Sequence, residues 1–497
     1  MAYDIIFVTG DEYFDHPLCG TAILKRILEK NGFSVGVIEK PQDHMEIKAL
    51  GTPALFFAVS SGAIDSMVRN YTPLKKKREL DYVPDRAVTV YSNWIKRHFK
   101  NSKIVLGGTE ASLRRFTHYD YWQNRLRKPI IFDSRADIIA FGNAEKQIVE
   151  IAERISKNHD LWGIPGTCVI SKELPKDFIE TPSFKDIENS KELFCDMHNL
   201  LSNQKNIAQK IDTRYLLQFK SPKYTTEDID EYYELPFTRQ APDEMEGFKF
   251  SIVTHRGCIG ECNFCSIALT QGNKIISRSK ESILREIKKI TKMPHFKGYI
   301  DNLAGPSAEM YGMDCNKSQK CEKSCIDCSG LKTNNKEYIK LLKEAAEIKG
   351  VKKVFIKTGI RHDLCTSELI KQIALNHTSG QIRISPEHVN KKVLQLMNKD
   401  KGDYKKFIKE FRKHNKKDKI VFYFMTAHPG SGIKEAKELA QELKKLKNTD
   451  DIQVFTPSPL TKSTCMYYTG MEPKTKEKIH IPYTYKEKKI QKRVLFQ

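Results

Sequence analysis

The sequence predicts an α/β protein in which an N-terminal doubly wound parallel sheet is followed by a partial (β/α)6 TIM-like barrel. Three observations predict it. Short apolar runs alternate with helical patterns over the first 160 residues, the alternation resumes from Phe248, and the length of 497 residues exceeds a single core, since domains usually run to about 100–200 residues.

Residues 4–9 read as a buried strand and 22–29 as a helix stopped near Asn31-Gly32, with further strands at 35–38, 54–59, 103–106 and 137–140. This order describes a leading unit, 1–160, whose ligand crevices lie at the carboxyl ends of the strands. Residues 161–245 lose the regularity, carry prolines such as Pro175 and Pro222 among charges, and read as a connecting region. The second series places strands at 249–253, 298–303, 354–358, 381–384, 420–425 and 451–455. Helices lie between them at 279–290 and 335–348 and from Ser367, Asn390 and Ser431. They define a barrel over 246–465 with an inserted cysteine-rich loop, 314–330, and leave 466–497 as a basic C-terminal tail. Site groups are expected at the strand ends.

No apolar run approaches the roughly 20 residues of a membrane span, so no membrane is expected. The start of the chain lacks a basic, apolar and small-residue leader. With twelve scattered cysteines, this points to a reducing cytoplasm and to thiols or metal ligands rather than disulfides. The net charge of +22 is the bulk feature that suggests a polyanionic partner such as RNA. The excess gathers in lysine-rich helices. Over residues 391–420, twelve Lys or Arg stand against four Asp or Glu, a pattern that a merely solvated helix face also gives.

Directly after the strand at 249–253 comes Thr254-His255-Arg256-Gly257-Cys258-Ile259-Gly260-Glu261-Cys262-Asn263-Phe264-Cys265. Three soft thiolates in C-x3-C-x2-C spacing favour an iron–sulfur cluster or zinc. Three ligands leave one iron of a cubane open to a further chelator. The competing reading is a structural zinc completed by His255 or another cysteine. Cys315, Cys321, Cys325 and Cys328 form a second set, suited to an auxiliary iron–sulfur cluster or to zinc, with free thiols as the plain alternative.

The triplet at the end of a first barrel strand resembles the motif of the radical S-adenosylmethionine superfamily. Its surroundings resemble the YgiQ-type branch, an uncharacterised family with a cobalamin-binding-like N-terminal domain. The likeness extends through Gln271-Gly272, Ile276-Ser277-Arg278-Ser279, Asp301-Asn302-Leu303-Ala304-Gly305-Pro306, Thr358-Gly359-Ile360-Arg361, Ser385-Pro386-Glu387-His388 and Ala427-His428-Pro429-Gly430. It continues in Met466-Tyr467-Tyr468-Thr469-Gly470 and, in the first unit, in Gly107-Gly108-Thr109-Glu110-Ala111-Ser112 and His118-Tyr119-Asp120-Tyr121-Trp122.

The resemblance implies a 4Fe-4S cluster on Cys258, Cys262 and Cys265, with S-adenosylmethionine on the fourth iron and reductive cleavage to a 5′-deoxyadenosyl radical. It further implies a reductant such as flavodoxin or ferredoxin, Phe264 near the adenine, and Ala304 and Gly305 at the methionine amine. Ala304 and Pro306 depart from the superfamily's Gly-Gly-Glu-like turn. The leading domain resembles cobalamin modules, yet Asp15-His16-Pro17-Leu18-Cys19-Gly20 does not match their D-x-H-x-x-G, so histidine-ligated cobalamin is not supported and cobalamin is not expected, a ligand-free or substrate-docking role being favoured.

Glu387, His388, His428 and Arg361 are expected at the barrel mouth, as substrate groups or as rim hydrogen bonds. Arg114, Arg115 and His118 are candidates for an anion site or an ion pair with Asp120. The leading function is a radical enzyme of unnamed substrate and reaction. The alternatives are a metal-stabilised nucleic-acid-binding protein and a radical enzyme that modifies RNA. The substrate, the oligomeric state and the ligand of the first unit are not written in the sequence.

Overall fold

Residues 2–79, 83–315, 324–446 and 451–496 are described by the structure, a computed structural model. Ile5–Thr9 is buried along its whole length, as a parallel strand covered on both faces must be. Ile6 and Val8 face Val88, Tyr91 and Ile95 on one side, while Ile5 and Phe7 face Leu28, Ile148 and Ile151 on the other. The strand lies between Val35–Glu39 and Phe56–Ser60, and Lys103–Leu106 and Ile138–Ala140 continue the sheet, all parallel. The chain therefore reverses its direction of travel between its first and third strands, where doubly wound sheets open a crevice.

The stretch 161–245, read as a connecting region, instead completes this sheet. Thr167–Ser171, Arg214–Gln218, Ile207–Ile211 and Ile179–Thr181 join in that order, largely antiparallel, to make nine strands. Polar side chains point into this part of the core and are paired there, which conceals the strand alternation. Gln209 Oε1 accepts from the Thr117 amide at 2.9 Å, and Gln218 Oε1 accepts from Arg115 Nε at 2.8 Å.

The second unit has six parallel strand positions: Ser251–Val253, Tyr299–Ile300 continued by Asn302–Ala304, Lys353–Val354, Gln381–Glu387, Lys419–Thr426 and Asp451–Val454. The third and fourth are joined through the parallel bridge of Ile360 to Ile384. Lys280–Ile290, Lys336–Ala346, Ser367–Asn376, Tyr404–His414 and Ile433–Leu446 connect them. Ile252, Leu303, Ile384 and Phe424 pack under Ile287, Leu341, Ile373 and Phe411. This is the expected partial (β/α)6 barrel.

Residues 466–497 are not a loose basic tail. Tyr485–Val494 forms a helix seated on the barrel through two buried polar side chains one turn apart, Lys488 and Gln491. Gln491 Oε1 accepts from Thr426 Oγ1 at 2.9 Å and the Ala427 amide at 3.0 Å, and its Nε2 donates to Ser431 O at 2.8 Å. A helix held by polar anchors shows no apolar stripe, so its docking is invisible to periodicity.

Buried ion pairs fasten the two units together. Arg256, at the entry to the cysteine loop, pairs with Glu145 of the first unit and donates to Tyr233 Oη at 3.2 Å. Arg239 pairs with Glu286, which also holds Arg278. Among the described residues no helix is long and apolar enough to cross a membrane.

The arginines offered as an anion site are structural. Arg114 is buried against Asp65 at 2.8 Å, and Asp65 in turn caps the helix Ser66–Asn70 through the Met67 amide at 2.9 Å. Arg114→Met leaves that carboxylate buried without its cation and is expected to cost about 3–5 kcal/mol. Urea denaturation checks this, and a loss below about 1 kcal/mol would show that the pair does not hold the domain.

Candidate functional site

The cysteine loop opens at Gly257, whose φ of +84° and position 1.9 Å from Lys274 O, measured from an ideal Cβ, leave no room for a side chain. The Cys258 amide donates to Gly272 O at 3.1 Å and the Cys265 amide to Cys262 O at 3.0 Å, which curls the loop on itself. Asn263 grips both neighbours. Its amide donates to Met397 O at 2.9 Å, its Nδ2 to Leu396 O at 2.9 Å, and its carbonyl accepts from Ser463 N at 2.9 Å.

One cation lies over the thiols. Arg361 Nη1 donates to Cys262 Sγ at 3.3 Å while its Nε donates to Asp363 at 3.0 Å. A Cβ on Gly260 would meet that Nη1 at 2.7 Å and Cys258 Sγ at 3.4 Å. Burial pushes Cys258 up to about 11 and Cys265 up to about 12, so thiolates form here only against positive charge. Burial opposes the Arg361 charge as well, but Cys262 and Asp363 outweigh it and raise its pKa. Among the described residues no three His, Cys, Asp or Glu side chains meet at a point that one metal ion would fill. A cubane takes one thiolate per iron, so its ligands need not converge on such a point. The donor set, the loop glycines and the arginine fit a cluster of that kind.

Carboxylates surround the loop. Glu387 sits at the end of the fourth barrel strand in the left-handed region, φ +69°, fully enclosed, with Oε2 unpartnered among the described residues. Burial raises it to about 7, against the opposing pull of Lys399 and Arg361. Glu309, which sequence reasoning missed, is likewise pushed up by burial to about 7. Its Oε2 accepts from Ser307 Oγ at 2.9 Å and from the Arg361 amide at 3.2 Å. An acidic residue five positions past a barrel strand was the available signal. His428 proves a strut. Its Nδ1 donates to Pro429 O at 2.8 Å, leaving Nε2 to accept from Ser463 Oγ at 2.7 Å. His388 Nδ1 accepts from the Asn390 amide at 3.0 Å.

The residues expected to contact S-adenosylmethionine stand on different elements. Ala304 and Gly305 line a cavity of about 530 Å³ between the units. Phe264 packs toward His428, ring centroids 6.4 Å apart. The Gly305 backbone runs against the His255 ring, 2.5 Å from an ideal Cβ. His255 contacts Thr254 Oγ1 through Nδ1 at 2.9 Å, is driven to about 3 by burial, and has no partner at Nε2 among the described residues. Across the cavity stand Thr9, Asp11, Ser60, Gly108 and Thr109, at the carboxyl ends of the doubly wound strands.

His16 turns away from the cavity. Its Nε2 is 2.8 Å from Lys249 O and its Nδ1 accepts from the Leu18 amide at 3.0 Å. In the second cysteine set, Cys325 packs on the same small apolar cluster as Cys258, with Ile259, Met310 and Leu364 between them. Cys315 and Cys328 are close enough to raise the Cys325 pKa, after burial and Glu261. Cys321 lies outside the described residues.

A cysteine triplet at the first strand of a partial barrel, behind a doubly wound domain, defines the class. Residues 1–252 match the Radical SAM N-terminal model and residues 252–443 the Radical SAM superfamily model. A UPF0313 protein of Methanocaldococcus jannaschii is 42% identical over 99% of this chain and 89% of its own. One of Fusobacterium nucleatum is 40% identical over 99% and 95%. The chain belongs to the UPF0313 family of radical SAM proteins and is an enzyme of that superfamily, not a metal-stabilised binding module. Among solved structures, a radical S-adenosylmethionine methyltransferase, TsrM from Kitasatospora setae with cobalamin and a [4Fe-4S] cluster bound, is similar with TM-score 0.55 at 13% identity, over 94% of this chain and 79% of that one. The cobalamin-dependent S-adenosylmethionine radical enzyme OxsB is similar at 0.53 and 13%, over 93% and 55%. These likenesses show the fold.

Gly257→Ala must shift either the loop or Lys274, an overpacking and backbone penalty of about 1–3 kcal/mol. The variant is expected to stay folded by circular dichroism but to lose most of the iron taken up in anaerobic reconstitution. Wild-type iron content in this variant would show that the glycine does not shape the loop.

Proposed function

We propose that Cys258, Cys262 and Cys265 hold a 4Fe-4S cluster and that the protein uses it on S-adenosylmethionine. The observation that carries this reading is the C-x3-C-x2-C loop itself, bent at Gly257 and overlaid by Arg361. When bound, the cluster supplies the electron that splits the sulfonium carbon–sulfur bond into methionine and a 5′-deoxyadenosyl radical. The chain's own part is electrostatic and steric. Arg361 offsets thiolate charge, and Gly305 keeps the backbone low beside His255. Glu309 and Glu387, raised by burial, stand ready to hold or release a proton near the loop. An external protein reductant such as flavodoxin or ferredoxin completes the system. The reaction takes place in the cytoplasm, as the twelve cysteines fit a reducing compartment.

A second reading concerns the cavity between the units. The sequence disfavours cobalamin because no D-x-H-x-x-G is present, and the bonds that occupy His16 agree with a site lacking a histidine ligand. Two solved neighbours nevertheless hold cobalamin. The doubly wound strand ends line the cavity with small residues, and His255 stands in its opposite wall. The residues fit a corrinoid held without a protein lower ligand. Cys315, Cys325 and Cys328, with Cys321, are the candidate ligands of an auxiliary metal.

Anaerobically reconstituted enzyme given S-adenosylmethionine and dithionite is expected to release 5′-deoxyadenosine, and the Cys258→Ala variant to release none. About eight irons per chain would support an auxiliary cluster, and about four with one zinc would support the other metal. Absence of both iron and deoxyadenosine sinks the main reading. Absence of corrinoid absorbance after expression with added cobalamin sinks the second.

A further inference from the structure

A second cavity, of about 580 Å³, lies apart from the cysteine loop, where the hairpin of His118–Asp120 and Arg125–Arg127 meets the helices Lys462–Thr469 and Tyr485–Val494. Six tyrosines and three lysines, Lys75, Lys191 and Lys488, are among its lining residues. Lys488 is 3% exposed. Its Nζ donates to Tyr121 Oη at 2.9 Å and Tyr467 Oη at 2.8 Å and lies 4.8 and 4.7 Å from the centroids of those rings. Two of its three donors are thus used, by neutral oxygens. Burial, followed by Lys75, pulls its pKa down to about 8.

The other two lysines are exposed and stand at the rim of the cavity. Lys75 Nζ stands 4.5 Å over the Tyr121 ring, on a backbone held at φ +59° by a turn in which its amide donates to Thr72 O at 2.9 Å. Lys191 Nζ lies 5.6 Å over Tyr468. Among the described residues no carboxylate forms an ion pair with any of the three. The cavity thus carries one buried ammonium with a spare donor and two solvated ones at its rim, so an anion entering it meets three cations and no competing ion pair among the described residues. Tyr483 and Tyr485, 51% and 45% exposed, offer partly exposed rings beside them, Tyr483 packed edge-to-face on Tyr467 and Tyr485 with Lys489 over one side. A volume within the usual range for small-ligand sites, exposed ring faces and unpaired ammonium groups together match a planar base joined to a phosphate.

We infer that this cavity binds a phosphorylated nucleotide, with the phosphate on Lys75, Lys191 and Lys488 and the base against Tyr483 or Tyr485. The site is independent of the cluster reading. The nucleotide comes either free or as a unit of an RNA strand, for which the net charge of +22 supplies the attraction.

The test is equilibrium binding to the full chain of uridine 5′-monophosphate, uridine, decauridylate and polyglutamate. Uridine compounds are chosen because a site shaped for S-adenosylmethionine does not select them. The monophosphate is expected to bind saturably and uridine at least about tenfold more weakly, while Lys191→Gln and Tyr485→Ala, both at the rim, each weaken binding about fivefold without changing the melting temperature. Decauridylate bound more than about tenfold tighter than the monophosphate, with the same sensitivity to the variants, assigns the site to RNA, and equal affinity assigns it to the free nucleotide. The inference is overturned if neither uridylate binds, if uridine binds as well as its phosphate, if both variants bind like the wild type, or if polyglutamate alone binds.

Discussion

The arrangement depends on the ion pair between Arg256 and Glu145. Arg256 lies two residues before Cys258, and Glu145 opens the helix Glu145–Ser156 that covers the doubly wound sheet. Both are buried, and removing two charges from water is costly unless each finds the other and additional hydrogen bonds. Tyr233 Oη accepts from Arg256 Nε at 3.2 Å, and its ring lies under the guanidinium, 5.2 Å from the ring centroid. A one-sided loss would strand a charge at the seam between the domains, so the pair fixes where the cysteine loop stands relative to the strand ends of the first unit. Nearby, Asn143 Nδ2 donates to Gln271 O at 3.3 Å, binding the end of the loop to the same edge.

With that seam fixed, two sets of strand ends face one cavity. Gly257, Glu387 and Ala427, at or just past strand ends, all take positive φ values of +84°, +69° and +57°. For glycine this costs little, but for Glu387 and Ala427 the surrounding structure must enforce it. Ala427 is enforced by the bond from its amide to Gln491, which comes from the last helix of the chain. The C-terminal helix therefore belongs to the same construction as the site, though it is distant in sequence.

What the sequence revealed and what it concealed follow one physical rule. Strands whose side chains are apolar on both faces, such as Ile5–Thr9 and Lys419–Thr426, are readable because burial alone specifies them, and the cysteine triplet is readable because its spacing is local. Elements held by long-range polar pairs were not. The strands Ile207–Ile211 and Arg214–Gln218 turn Gln209 and Gln218 inward, and the last helix docks through Lys488 and Gln491, so neither displays the expected period. Glu309 passed unnoticed because only the fold brings it beside Arg361.

Buried cations show most clearly how the structure separates scaffold from site. Arg115 and Lys488 are both enclosed without a carboxylate partner. Every nitrogen of Arg115 nevertheless has an oxygen: Nε donates to Gln218 at 2.8 Å, Nη2 to Asn203 at 2.7 Å and Nη1 to Ser112 O. The guanidinium also lies 4.6 Å over Phe141, so its needs are met internally and it ties the end of the helix Gly108–Leu113 to the strand Arg214–Gln218. Lys488 has two phenols for three protons and stands on a cavity wall whose rim carries two exposed lysines. Placing a cation in low dielectric is tolerated when its donors are satisfied, and the deficit at Lys488 is the kind that an incoming anion removes. Satisfaction of donors, rather than burial or charge by itself, distinguishes the arginine that holds the fold from the lysine that faces a ligand.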